Sequence, residues 1–180
     1  MKSYDCIFLD RDGTLNYDPG YISCLEDFNF FDFTIDTLEK LSRSGNRFCI
    51  ITNQSGVDRG IIRYESLREI HTFIKSEFKK NRITLLDIYY CTDHPDKNSA
   101  RRKPESGMFL EAQKSYNLDL NNCLMIGDSV DDILAGQKIP MDTMLVLTGR
   151  GKETKNILKN KEQPTYIVEN LSNSLSFLCQ

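Results

Sequence analysis

The chain has 180 residues, of which 39% are apolar and 27% charged, and its net charge is −3. That length gives one ordinary domain with a sizeable core, and the acidic balance argues against a nucleic-acid partner, leaving Arg101-Arg102-Lys103 as a local basic patch. No run approaches the roughly 20 apolar residues that span a bilayer, and residues 1–5 lead too quickly into the short apolar run Cys6-Ile7-Phe8-Leu9 for a signal peptide.

The expectation is therefore a single cytoplasmic domain over residues 1–180, with no membrane or nucleic-acid partner. In chain order, Cys6-Ile7-Phe8-Leu9 is the first predicted strand. Ile35, Leu38 and Leu41 mark a helix that Gly45 ends. Phe48-Cys49-Ile50-Ile51 is the next strand, followed by a helix with Leu67, Ile70, Phe73, Ile74 and Phe78 on its apolar face. Asp87-Ile88-Tyr89-Tyr90 reads as a strand, and Pro104 suits the first turn of a helix through Met108, Phe109 and Ala112. Cys123-Leu124-Met125-Ile126 is a strand, a helix opens over 131–136, and Thr143 to Leu147 is a further strand. Lys152 to Gln163 reads as a solvated helix or loop, and Tyr166-Ile167-Val168 as a short edge strand.

Continuously apolar strands suit a sheet covered on both faces. Their alternation with helices predicts an α/β fold: a Rossmann-like open, mainly parallel sheet with helices on both faces. The spacings leave no room for a large cap domain. Three of the six cysteines, Cys6, Cys49 and Cys123, lie inside apolar strands, and no CxxC pair occurs. Buried thiols are expected, with no disulfide framework.

Ligands bind beyond the carboxyl ends of strands in such sheets, and the notable polar residues all fall there. Asp10-Arg11-Asp12-Gly13-Thr14-Leu15-Asn16 follows the first strand. Two carboxylates two residues apart at a strand end face the same side, and their repulsion calls for a cation or a shared proton. Mg²⁺ with oxygen ligands meets that need and also holds a phosphate. Taken alone, a helix-capping or turn pair is the lesser alternative. Thr52-Asn53-Gln54-Ser55-Gly56 offers a hydroxyl and backbone N–H groups as a phosphate cradle. Lys103 can offset phosphoryl charge, although a solvated surface lysine is the ordinary alternative. Gly127-Asp128-Ser129-Val130-Asp131-Asp132 supplies a metal ligand in Asp128 and an outer carboxylate in Asp132.

These four motifs, in this order, resemble those of haloacid dehalogenase phosphatases over roughly residues 6–136. The resemblance implies Mg²⁺-dependent phosphomonoester hydrolysis through an aspartyl-phosphate, with Asp10 as nucleophile and Asp12 as acid/base. It assigns the metal to Asp10, Asp128 and the backbone carbonyl of Asp12, and charge compensation to Lys103.

Asp18-Pro19-Gly20-Tyr21, Arg59-Gly60 and Arg102-Lys103-Pro104 with Gly107-Met108 narrow the likeness. It points to the D-glycero-D-manno-heptose 1,7-bisphosphate and histidinol-phosphate phosphatases. By that resemblance Asp18, Pro19, Gly20, Tyr21, Thr52, Asn53, Gln54, Ser55, Arg102 and Lys103 contact a small phosphorylated sugar. Removal of the C7 phosphate of the heptose bisphosphate, for surface polysaccharide, is the leading expectation. A phosphatase for histidinol phosphate or another small sugar phosphate is the alternative, and a phospho-ligand binding module without turnover fits the intact motifs less well. The oligomeric state is left open, and a monomer suffices.

Two departures stand out. Relatives commonly hold structural zinc with a Cys-x-His pair and a later Cys-x-Cys. Here Cys91-Thr92-Asp93-His94 and Ser99-Ala100-Arg101 leave too few ligands for a tetrahedral site. Structural zinc is not expected, and His94 is read as a hydrogen-bonding loop residue. Ser129 also stands where the heptose enzymes often carry lysine.

Overall fold

The computed structural model describes residues 4–158 and 162–179. Six strands form one sheet: β1 (Cys6–Leu9), β2 (Phe48–Asn53), β3 (Leu85–Cys91), β4 (Cys123–Gly127), β5 (Asp142–Val146) and β6 (Tyr166–Val168). Their order is β3-β2-β1-β4-β5-β6, and every pairing is parallel. The connecting helices are α1 (Thr34–Arg43), α2 (Tyr64–Lys80), α3 (Gly107–Tyr116), α4 (Val130–Lys138) and α5 (Gly151–Ile157), and α6 (Leu175–Leu178) follows the last strand.

The unbroken apolarity of the inner strands follows from burial on two sides. Successive residues of a strand point to opposite faces. Ile7, Leu9, Ile50, Leu124 and Ile126 therefore join one core with Leu38 and Leu41 of α1 and Ile70, Ile74 and Phe78 of α2. Cys6, Phe8, Cys49, Ile51, Cys123 and Met125 join the other with Met108, Phe109 and Ala112 of α3. Phe8 meets Phe109 edge-on at 5.0 Å between ring centroids. Each fully buried side chain of this size stabilises the fold by roughly 1.5–3 kcal/mol. All six cysteines are free thiols, and Cys6, Cys49 and Cys123 are buried, as their placement in apolar strands suggested.

The turn after α1 follows the expected pattern, with Gly45 N–H donating to Ser42 O at 2.9 Å and Asn46 N–H to Leu41 O at 3.1 Å. Pro104 does not open α3 as predicted. Residues 99–105 make two tight turns, closed by Arg102 N–H to Ser99 O and Glu105 N–H to Arg102 O, and the Lys103–Pro104 peptide is cis. The helix starts three residues later, at Gly107. The predicted solvated stretch 152–163 is α5 in its first part, and residues 159–161 lie outside the described residues.

The chain runs outward from β1 through β2 to β3, then returns to place β4 on β1's other side. Strand order therefore reverses between β1 and β4, which opens a crevice at their carboxyl ends. Asp10 N–H donates to Ile126 O across that junction at 2.9 Å, so the residues just past β1 and β4 stand side by side.

Candidate active site

Asp10, Asp128 and Asp132 converge at the β1/β4 junction, all buried, each with an oxygen within 4.8 Å of the others. Lys103 enters from the loop before α3 and is only 2% exposed. Its Nζ donates to Asp10 Oδ1 at 2.6 Å, Asp132 Oδ1 at 2.5 Å and Ile51 O at 2.7 Å. The surface-lysine alternative is thus excluded. Removing one partner of a buried ion pair costs about 3–5 kcal/mol, so Lys103 stabilises the site as well as supplying charge.

Asp132 lies deeper than an outer carboxylate needs to be. Its Oδ2 accepts from Ser129 N at 2.9 Å and Ser129 Oγ at 2.7 Å, while Ser129 caps α4 in return. Both Asp132 oxygens are thereby engaged, one on the helix cap and one on Lys103. Asp132 orients the lysine.

Charges in this cluster are not balanced by the protein. Burial, with repulsion from Asp132, pushes Asp128 up to about 7. Burial also drives Asp10 upward against the pull of Lys103, with Asp132, Asp128 and Asp12 adding to the rise. Lys103 is held protonated by Asp10 and Asp132 despite burial. A divalent cation would relieve this excess of carboxylate, and oxygen donors suit Mg²⁺. The backbone makes room at the same place. A Cβ on Gly13 would fall 2.3 Å from Asp128 Oδ2, and one on Gly149 2.1 Å from it. Both glycines have positive φ, +84° and +51°.

Asp12 is held apart from that cluster. Arg11 Nε donates to its Oδ1 at 3.0 Å and Arg11 Nη2 to its Oδ2 at 2.8 Å. Asn16 Nδ2 reaches Oδ1 at 3.0 Å, and Gln54 Nε2 reaches Oδ2 at 2.7 Å. Burial works to raise Asp12, but the Arg11 charge and these hydrogen bonds outweigh it and hold the carboxyl below its ordinary range.

A polar cleft of about 280 Å³ opens above these groups. It is lined by Asp10, Asp12, Lys103 and Asp128, by the predicted cradle Thr52, Asn53, Gln54 and Ser55, and by Asp18, Gly20, Tyr21 and Arg102. Gln54 Nε2 also donates to Thr52 Oγ1 at 2.9 Å, and Asn53 clasps Lys103 through its backbone, Nδ2 to Lys103 O at 3.0 Å and Lys103 N to Oδ1 at 3.1 Å. Asp18 Oδ1 accepts from Gly20 N at 2.8 Å, which shapes the rim loop. Pro19 is the one predicted contact that does not line the cleft. It lies in the turn that the Asp18–Gly20 bond closes.

Three groups of the site went unread in the sequence. Thr148-Gly149-Arg150 follows β5: Thr148 Oγ1 donates to Gly13 O at 2.6 Å, Arg150 N donates to Asp128 Oδ2 at 2.7 Å, and Arg150 lines the cleft. The rule that polar residues after a strand build the site would have found them. Arg11 and Asn16 were visible within the first motif but carried no role. His71 sits on the buried face of α2 against Arg11, and nothing in the helical pattern marks it.

The Cys91 loop is held by hydrogen bonds. Cys91 Sγ lies 3.4 Å from Asp93 Oδ2 and 3.6 Å from Ser99 Oγ. His94 Nδ1 accepts from Asp96 N at 3.3 Å, the hydrogen-bonding part expected of it. Asp58 anchors the loop by accepting from His94 N at 2.9 Å and Lys97 Nζ at 2.7 Å.

Known proteins share this fold. The HAD-hydrolase-like family model matches residues 100–174. A D-glycero-β-D-manno-heptose-1,7-bisphosphate 7-phosphatase of Pasteurella multocida is 36% identical over 174 residues, 92% of each chain. The enzyme of that name from Haemophilus influenzae is 38% identical over 152 residues, 80% of this chain and 82% of its own. Among solved structures, a D,D-heptose 1,7-bisphosphate phosphatase from B. bronchiseptica, complexed with magnesium and phosphate, superposes with a TM-score of 0.88. It is 27% identical, and the match covers 96% of this chain and 97% of that one.

Proposed function

The chain belongs to the heptose 1,7-bisphosphate phosphatase family of haloacid dehalogenase-like hydrolases, and from that premise we propose that it removes the C7 phosphate of D-glycero-D-manno-heptose 1,7-bisphosphate. It is a phosphoric monoester hydrolase of the Mg²⁺-dependent, aspartyl-phosphate type. The observation that carries the residue roles is the meeting of Asp10, Lys103 and Asp128 in one buried cluster beneath a polar cleft.

In this reading an Asp10 carboxylate oxygen attacks phosphorus, and the bond from phosphorus to the C7 oxygen breaks. Asp12, an anion in the free protein, takes up a proton from solvent as the substrate's charge arrives, one of its four accepted hydrogen bonds giving way to it, and gives that proton to the departing oxygen. It then removes a proton from water, whose oxygen takes phosphorus from Asp10 and releases inorganic phosphate. Lys103 and the Thr52–Ser55 turn offset and orient the phosphoryl oxygens. Asp10, Asp128 and the backbone carbonyl of Asp12 would hold Mg²⁺, which when bound supplies positive charge to the phosphoryl group.

A cleft of this size suits a small sugar phosphate, not a polymer. Residues 1–180 are read as one domain acting without nucleic-acid or membrane partners, in the cytoplasm. The single sheet supports the first point, and among the described residues no helix is long and apolar enough to cross a membrane.

Arg102 lines the cleft beside Lys103 and is the residue we assign to the second phosphate. Binding energy from that remote group can lower the barrier at the reacting one. Arg102→Ala should therefore reduce kcat/KM for the bisphosphate by about 10²-fold, the worth of roughly 1.5–3 kcal/mol in a charged hydrogen bond. An aryl monophosphate should be hydrolysed nearly as before. Equal losses on both substrates would remove Arg102 from substrate recognition.

A further inference from the structure

Arg11 is one of the largest fully enclosed side chains in the protein, 1% exposed, although it carries a permanent charge. Such a group is retained only where its charge and donors are used. All three guanidinium nitrogens are engaged. Nε and Nη2 form a two-pronged bond to both oxygens of Asp12, at 3.0 and 2.8 Å. Nη1 points the other way, 3.4 Å from His71 Nε2. Arginine can only donate, so His71 Nε2 is the acceptor and its ring is neutral. Burial, and then the Arg11 charge, lower His71 to about 3, so it stays neutral under ordinary conditions. The guanidinium carbon also lies 5.9 Å from the centre of the Phe28 ring.

We propose that Arg11, backed by His71, is the positioning residue that fixes the Asp12 carboxylate for proton transfer to the leaving oxygen. The inference rests on the reading of Asp12 as acid/base. A two-pronged bond sets both the direction and the plane of the carboxylate, which a single donor does not. Gln54 then joins that plane to the phosphate cradle, since the one amide donates to Asp12 Oδ2 at 2.7 Å and to Thr52 Oγ1 at 2.9 Å. The chain of contacts runs His71, Arg11, Asp12, Gln54, Thr52. Arg11 acts through Asp12 and takes no proton itself, because guanidinium does not deprotonate in proteins.

The test uses leaving groups of different basicity with the Mg²⁺-loaded enzyme. Glycerol 2-phosphate expels an alkoxide that needs a proton. 2,4-Dinitrophenyl phosphate expels a stable anion that does not. kcat/KM covers the steps through transfer of the phosphoryl group to Asp10, so it isolates the protonation. Asp12→Asn is the control and should lose far more on glycerol 2-phosphate than on the dinitrophenyl ester. Arg11→Met should show the same split, on the order of 10²-fold on the alkyl ester for a carboxylate displaced by about 1 Å, with the dinitrophenyl ester changed only a few-fold. His71→Phe leaves Arg11 in place and should show a smaller split in the same direction, and His71→Gln, which keeps an acceptor, should restore it. Equal losses on both esters in Arg11→Met or His71→Phe, with Asp12→Asn still discriminating, would overturn the positioning role alone. Equal losses in Asp12→Asn itself would overturn the acid/base reading, and the proposal with it. Should Arg11→Met fail to fold, the His71 pair decides.

Discussion

Asp10→Asn should abolish phosphate release, by a factor of about 10⁴ or more on the scale of nucleophile removal, and should leave the fold intact. The amide keeps the shape of the carboxylate but has no anionic oxygen to attack phosphorus. It also withdraws one negative charge from a cluster in which Asp10, Asp128 and Asp132 crowd one another. Lys103 keeps its bonds to Asp132 Oδ1 and Ile51 O, so it is not left as an unpaired buried cation. Acid quenching during turnover should trap one phosphoryl group on the native chain and none on the variant. Near-native hydrolysis by Asp10→Asn would refute the nucleophile.

Chelation of Mg²⁺ has an effect of similar size. Activity should vanish with EDTA, return with Mg²⁺, and not return with Ca²⁺, which takes more ligands at longer range and would pull the attacking oxygen out of line. The cause lies in the carboxylates. Without a cation, burial and mutual repulsion work against the ionised forms of Asp10 and Asp128, and the ionised oxygen is the one that attacks. Stability follows the same balance. The Asp128 carboxyl rises from 3.8 to about 7 on folding, so between those values the native state binds more protons than the unfolded one. This group therefore makes the metal-free protein less stable as pH rises through that window. Mg²⁺ removes the loss, and the Tm increase on adding it should be greater at pH 8 than at pH 5. An increase that is the same at both, or hydrolysis that survives EDTA, would contradict this account.

How much of this could be read before the fold was known depends on how locally each feature is encoded. The strands could be read because Cys6 to Leu9, Phe48 to Ile51 and Cys123 to Ile126 are buried on both faces, which leaves no polar alternation to confuse them. Asp10 and Asp128 could be read because the residue after a parallel strand is where the backbone delivers a side chain to the crevice, and Thr52 because it lies at the same end of β2. Pro104 misled because its fixed φ suits either a helix start or a turn, and only the tertiary need to bring Lys103 to Asp10 selects the turn. His71 was invisible for a related reason. On α2 it belongs to the same buried face as Ile70 and Ile74, and its partner Arg11 lies 60 residues away. Asp132 was seen, but its depth was not, since a helix-capping carboxylate and a buried ion-pair partner look alike until the lysine is in place.

The most direct test of the central claim is to follow hydrolysis of D-glycero-β-D-manno-heptose 1,7-bisphosphate by phosphorus NMR, with histidinol phosphate and fructose bisphosphate run in parallel. The C7 signal alone should disappear, with one equivalent of inorganic phosphate, a stable 1-phosphate, and the highest kcat/KM of the three substrates. Loss of the C1 phosphate, release of both, or a higher kcat/KM on histidinol phosphate would contradict that claim.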